Sequence, residues 1–425
     1  MPFLMLCFSA CGGVKRAPHA EHAAGAAGES GAGGAEAHES GGEGGDVATN
    51  GGEGGSAPGA GGTAPGAGGG GTGGAGLGGE GGGCAGRGAC GGAAGDDARG
   101  SGGEGGATCD DPEAPNCRVT CADPSGTIEI ANAADLAALA ARSCDTIDGS
   151  LRVTAADIED LAGLESIDTV TASLSILDAT NLLSLAGLSG LATVGTSLIV
   201  ERNPALASFD GLDDLSSIGT LGDLSSLVIT RNESLVEFDA VAAVAASGVN
   251  LVVIQNAALE HLPSFVALTA LGSVILSKNE SLANLAGFAA LAEVGSVTIV
   301  DHVNLTEVAL PALASAASLS ITGNAELETI ALDALTQVEE SLAIAGNATL
   351  TAATFAGLET VGGTVTVSAN PALIELELDA LTSTGGLSIG DNDSLPQCAV
   401  DELDARLGFP CNEACTGNDP DAPCP

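Results

Sequence analysis

Cysteine and histidine are the residues of this chain best suited to chemistry, and their placement points to cross-linking rather than catalysis. Twelve cysteines fall in four groups: Cys7 and Cys11; Cys84 and Cys90; Cys109, Cys117, Cys121 and Cys144; and Cys398, Cys411, Cys415 and Cys424. Two clusters of four bracket a long cysteine-free stretch. That pattern reads as disulfide-stapled caps on a repeat array and implies an oxidising compartment. Zinc is disfavoured because no CxxC pair occurs. The grouping predicts bridges Cys109–Cys117, Cys121–Cys144, Cys398–Cys411 and Cys415–Cys424.

Histidine offers little for acid–base work. The region that can fold holds only His261 and His302, some two coils apart in the repeat described below. No G-x-S-x-G elbow and no phosphate-binding G-x-x-x-x-G-K-[ST] loop is present. Asp391, Asn392 and Asp393, and Asp419 with Asp421, are the best oxygen clusters. Neither follows the calcium-loop pattern. The expectation is therefore no catalytic residue, no metal site, no cofactor, and a protein that is not an enzyme.

These residues must be positioned by a repeat. Between Ser150 and Leu395 a phrase close to S-L-x-I-x-x-N-x-x-L recurs, as in SLIVERNPAL (Ser197–Leu206) and SLSITGNAEL (Ser318–Leu327). Its opening residues are Leu151, Leu174, Leu198, Leu227, Leu251, Val274, Val297, Leu319, Leu342, Val365 and Leu387, mostly 22–24 residues apart. A period in the twenties marks a solenoid. Within each phrase the alternation of apolar and variable positions marks a strand with one face inward. The fold expected is mainly β: a right-handed single-stranded β-helix or leucine-rich solenoid of about eleven coils. A turn residue follows the strand. It is Asn at 203, 232, 256, 279, 324, 347, 370 and 392, His302 in one coil, and Ala156 and Ala179 in the first two. Stacked Asn amides can satisfy backbone groups left open at the turn, and His302 is expected to substitute for one of them. Sequons at Asn232, Asn279, Asn304, Asn347 and Asn392 follow from this consensus, and the four ladder residues among them should point inward. Open solenoid ends would be unpaired sheet edges. Helical spacing over Ala133–Arg142 and Ala399–Leu407 supplies a cover for each.

Composition divides the rest. The net charge of −44 argues against nucleic acid as a partner. Residues 12–108 are Gly, Ala, Ser and Glu with almost no large apolar residue, and the expectation is a disordered Gly-rich stalk. The segments expected are a leader at 1–11, the linker at 12–108, a Cys-rich N-terminal cap at 109–149, the β-helix at 150–397 and a Cys-rich C-terminal cap at 398–425. The leader MPFLMLCFSAC ends in small residues before Cys11 and resembles the lipobox of bacterial lipoproteins. That resemblance implies export, a lipid on Cys11, and membrane attachment through that anchor alone. Secretion from an ordinary signal peptide is the alternative.

The entry ADLAALAARSCDTIDGSLRV (Ala134–Val153) resembles the opening of receptor L domains, the leucine-rich β-helices of insulin and EGF receptor ectodomains. Cys144, Thr146, Ile147, Gly149 and Leu151 carry the likeness, which extends over roughly 121–411 and to bacterial surface lipoproteins with a Gly-rich stalk. The resemblance implies a ligand-binding surface domain. Ordinary leucine-rich repeats share the period and the Asn.

The outward strand positions are the most specific surface feature. The second position is Ile199, Val228, Val252 and Ile275 in the third to sixth coils, where later coils carry Thr, Ser or Ala. Ile254 adds to this stripe, and Arg202, Arg231 and Lys278 form a charged row beside it. Apolar patches with charged rims mark binding sites, although β-branched residues also suit an exposed sheet. The coil from Leu198 to Leu227 is longer than the rest, and its extra segment near Gly219–Leu224 is expected beside the patch. The function expected is an exported, lipid-anchored, monomeric binding module for a protein or surface polymer. The alternative is a structural envelope protein that packs through its solenoid.

Overall fold

The structure, a computed structural model, describes residues 118–219, 225–244, 248–408 and 412–424. Cys11 and the leader, the 12–108 linker, the Cys109–Cys117 bridge, Cys411, and residues 220–224 of the long coil lie outside the described residues. All the described residues belong to the compact unit Asp97–Pro425.

Each coil contributes one strand to a continuous parallel sheet, in the register that the repeat expects. Leu151 pairs with Leu174, Leu174 with Leu198, Leu198 with Leu227, and so on to Val365 with Leu387. The chain is mainly β, with parallel strands stacked as a solenoid of about eleven turns. The first and third strand positions face inward: Leu198, Val200, Leu319 and Ile321 are buried, as are their counterparts in every coil. Burying each such side chain contributes about 2 kcal/mol. No coil could bury this face alone, so the stack is what makes the core.

The inner wall opposite the sheet changes character along the stack. In coils three and four the sequences Phe209-Asp-Gly-Leu212 and Phe238-Asp-Ala-Val241 place inward residues three apart, and the chain turns there. Short 3-10 turns form at Asp239–Val241 and Ala286–Phe288. Phe209, Phe238, Phe265 and Phe288 stack through these coils with ring centroids 5.7, 6.3 and 6.0 Å apart. From coil seven on, Glu307–Ala309, Thr329–Ala331, Ala352–Thr354 and Glu375–Glu377 alternate with period two. They pair as a second parallel sheet that the repeat phrase alone does not announce.

The first coil also departs from expectation. Ala155, not Ala156, fills the inward turn position, and Ile158 takes the following apolar one. This coil is one residue shorter at its turn, so the column of inward residues continues through Ile158 where Glu159 would have broken it.

Both ends are covered. At the front, Thr120–Ile130 is a further strand paired parallel to Thr146–Val153, with Ile128 opposite Leu151. The helix Ala133–Ala140 follows it. Asn132 caps that helix by accepting from the Ala134 and Asp135 N–H groups at 2.9 and 3.1 Å, a favourable arrangement for the first turn. Leu136 and Leu139 face the core. The Cys121–Cys144 bridge ties this rung to the next, as expected. At the back, the helix Gln397–Leu407 buries Val400 and Leu403. Its Arg406 donates to the Leu378 and Leu381 carbonyls at 2.8 and 2.9 Å, satisfying acceptors at the open end of the stack.

The C-terminal bridging differs from expectation. Cys398 pairs with Cys424, not Cys411, and so Cys424 is not the partner of Cys415. The reason is geometric. Cys398 sits in the first turn of its helix, and the helix carries the chain about 1.5 Å per residue. Leu407, at the far end of the helix, is therefore about 14 Å away. The chain then returns to the start of the helix: the Gln397 N–H donates to the Asp419 carbonyl and the Asp419 N–H to the Leu395 carbonyl, both at 2.8 Å. That return brings the Cys424 and Cys398 Cα atoms to 5.9 Å. Cys415 is also disulfide-bonded.

Candidate functional site

The turn after each strand fixes the geometry of the candidate site. Asn203, Asn232, Asn256, Asn279, Asn324, Asn347, Asn370 and Asn392 are all fully buried. Each amide Nδ2 donates to a strand carbonyl of the preceding coil, as Asn256 does to Ile229 at 2.9 Å. Each Oδ1 accepts from the backbone N–H of the preceding ladder residue, as Asn256 does from Asn232 at 3.0 Å. Asn418, beyond the last coil, continues the ladder by accepting from Asn392 Nδ2 at 3.2 Å. The four sequon residues in the ladder are buried, while Asn304 is exposed.

His302 occupies its expected place in the ladder, fully buried. Its backbone N–H donates to Asn324 Oδ1 at 3.1 Å, and Nδ1 lies 3.2 Å from the same oxygen. Burial pushes its pKa down to about 4, opposed in part by the Asn324 hydrogen bond and the charge of Asp301. A neutral ring with the proton on Nδ1 suits both neighbours. His302 thus takes the place of a ladder amide.

From the second coil on, the residue just before each ladder position sits in the left-handed region. Asp178, Arg202, Arg231, Gln255, Lys278, Asp301, Ala369 and Asp391 have φ between 54° and 59°. Gly323, Gly346 and Gly417 take the place where glycine is used. This conformation costs a non-glycine residue about 1–2 kcal/mol. It also turns the side chain out of the stack, so these residues form an exposed ridge.

The sequence-based candidates fall on this surface and are contiguous. Ile199, Val228, Val252 and Ile275 are directly paired across neighbouring strands, each half-buried. With neighbouring strands about 4.8 Å apart, the four span about 14 Å. Ile254 stands two positions further along its strand, between Thr230 and Ser277. Arg202, Arg231 and Lys278 lie on the ridge.

Electrostatics modifies the charged row. Arg202 holds Asp178 with two bonds of 2.6 and 2.8 Å and also contacts Glu201. The Arg202 bond holds the Asp178 carboxyl below its ordinary range and raises the Arg202 guanidinium. Arg231 reaches Glu201 at 3.3 Å and Gln255 at 3.1 Å. Lys278 lies 3.8 Å from Asp301. The row therefore carries both signs of charge, and its cations are paired with carboxylates that link coils two to four and coils six and seven, so it is not a free basic patch. Each of these exposed pairs contributes about 0–1 kcal/mol.

Beside the ridge runs an open groove of about 470 Å³. Arg231, Gln255, Lys278 and Asp301 form one wall; Glu233, Ala257, Glu280 and Val303 form the other. The second wall consists of the residues that follow each ladder position. Their types vary along the stack, so no sequence pattern marks them. The ladder beneath, which the phrase does show, was the signal that places the two walls opposite each other.

No family model matches this chain, and no curated protein matches it. No helix among the described residues is long and apolar enough to cross a membrane.

Proposed function

We propose that this protein is an exported, lipid-anchored, non-catalytic binding module for a protein or surface polymer, similar to receptor L domains. The observation that carries the reading is the unbroken alignment of Ile199, Val228, Val252 and Ile275 beside an exposed charged ridge. A half-exposed apolar stripe flanked by polar rims fits the usual anatomy of an interface. The ridge strengthens it. Glycine serves at Gly323 and Gly346, yet coils two to seven keep charged or amide side chains at a conformational cost. Strain retained at one face motivates a functional reading of that face.

Several features narrow the partner. The described part of the ridge carries both signs of charge, which suits a partner of mixed charge better than a polyanion. The absence of Trp and Tyr disfavours sugar recognition by ring stacking. Export and the lipid on Cys11 rest on the lipobox-like leader and on the oxidised caps. The module works as a monomer under this reading.

A pull-down with the purified chain against envelope extracts and candidate partner cells tests the proposal. A partner captured in proportion to protein, and competed by soluble protein, supports it. Assembly of the chain with itself in size-exclusion chromatography, with nothing captured, would favour the structural alternative.

A further inference from the structure

Away from the proposed binding ridge, five to seven residues past the ladder position, two neighbouring coils bring together Glu237, Asp239 and His261. His261 Nε2 lies 3.2 Å from Asp239 Oδ2 and 4.0 Å from Glu237 Oε2. One ligand atom from each side chain lies within 4.8 Å of the other two. Bonds of about 2.0–2.1 Å at a tetrahedral metal hold neighbouring donor atoms about 3.3–3.5 Å apart. The His–Asp pair already meets this spacing. The His–Glu pair needs only a small side-chain rotation.

The backbone under these groups is fixed. Glu237 and Asp239 flank Phe238, whose buried ring lies between Phe209 and Phe265. With Phe238 inward, its two neighbours both project outward. His261 precedes Leu262, which is buried one coil further on. A backbone bond from Glu260 to Val236 at 3.1 Å holds the two coils in register beside the cluster. Among the described ion pairs, no Lys or Arg engages either carboxylate. The three side chains are 42–52% exposed, so a hydrated ion can reach them.

We infer that Glu237, Asp239 and His261 form a binding site for a first-row transition-metal dication, with zinc as the type ion. Two carboxylates balance the charge of a dication. The imidazole selects zinc, copper or nickel over calcium and magnesium, which take oxygen donors. Three protein ligands leave a fourth position open, for water or for a donor from a partner. The inference does not depend on the binding face proposed above.

Zinc titration of the full chain by calorimetry, with His261→Ala and Glu237→Gln/Asp239→Asn alongside, tests the assignment. His19, His22 and His38 are present in all three proteins, so any binding they contribute cancels in the comparison. Wild type should bind one zinc more than either variant, or bind it more than about tenfold tighter, since even outer-shell changes cost 10–100-fold. Melting in chelator should be the same for all three. Matching isotherms would overturn the site. Loss in His261→Ala with full binding in the double carboxylate variant would overturn the three-ligand assignment. Should a variant fail to fold, the ring resonances of His261 in the native chain decide the matter. A zinc-dependent shift is expected, and no shift refutes the site.

Discussion

His302 Nδ1 lies 3.2 Å from Asn324 Oδ1, at a rung where the neighbouring coils use an amide. On its other side, Nε2 is 3.5 Å from Asn279 Nδ2. The ring bridges two amides in the middle of the ladder, and it does so only while neutral. This makes one buried rung sensitive to acid in a column otherwise built from groups that do not titrate.

The sign of that sensitivity follows from the lowered pKa. His302 titrates at about 4 in the fold, against an ordinary value of 6.5. As the pH falls, the unfolded chain takes up the proton first. The contribution of neutral His302 is therefore complete above about pH 6.5 and is lost as the pH falls toward 4, by on the order of 3 kcal/mol. His302→Asn should lessen the loss of stability between pH 7 and pH 4.5 in urea denaturation. Equal losses in the two proteins would contradict the assignment.

An intact amide rung should matter at any pH. Asn256→Ala removes the acceptor for the Asn232 N–H and the donor to Ile229. Leaving two buried backbone groups unpaired should cost about 2–5 kcal/mol. Chemical denaturation measures this, and a cost below about 1 kcal/mol would show that the ladder is dispensable.

The left-handed ridge makes the opposite kind of prediction. Ala369 has φ 55° and is exposed. Ala369→Gly should raise stability by about 1 kcal/mol, measured as a higher denaturation midpoint. Ala369→Val should lower it. If both variants match the wild type, the ridge carries no strain.

Non-reducing peptide mapping should recover Cys121 linked to Cys144 and Cys398 linked to Cys424. Cys121→Ala/Cys144→Ala should lose about 3 kcal/mol, as expected for a loop of this size. Recovery of Cys398 linked to Cys411 would contradict the return path of the C-terminal segment.

Much of this architecture is legible in the residues, for a physical reason. Inward strand positions such as Leu198 and Val200 repeat because each must fill the same column, and Asn203 repeats because each amide needs the next. Features that no column demands were harder to read. The shift from Ala156 to Ala155 is silent because no Asn marks that turn. The left-handed backbone under the row at Arg202 and Lys278 is silent because a side chain's type does not reveal its φ. The mutual neutralisation of Arg202 with Asp178 was readable in principle, since the two lie one coil apart, and so was the convergence of Glu237 with His261. The Cys398–Cys424 bridge depends on where the chain returns after a helix, which spacing along the sequence does not encode.

The proposed binding face is tested most directly by capture with Ile199→Asp/Ile275→Asp against wild type, from the same extracts and at matched concentration. Both substitutions sit at half-buried outward positions, at the two ends of the stripe. The account predicts that the melting temperature stays unchanged and that the partner held by wild type is lost. Equal capture of that partner by both proteins would contradict it.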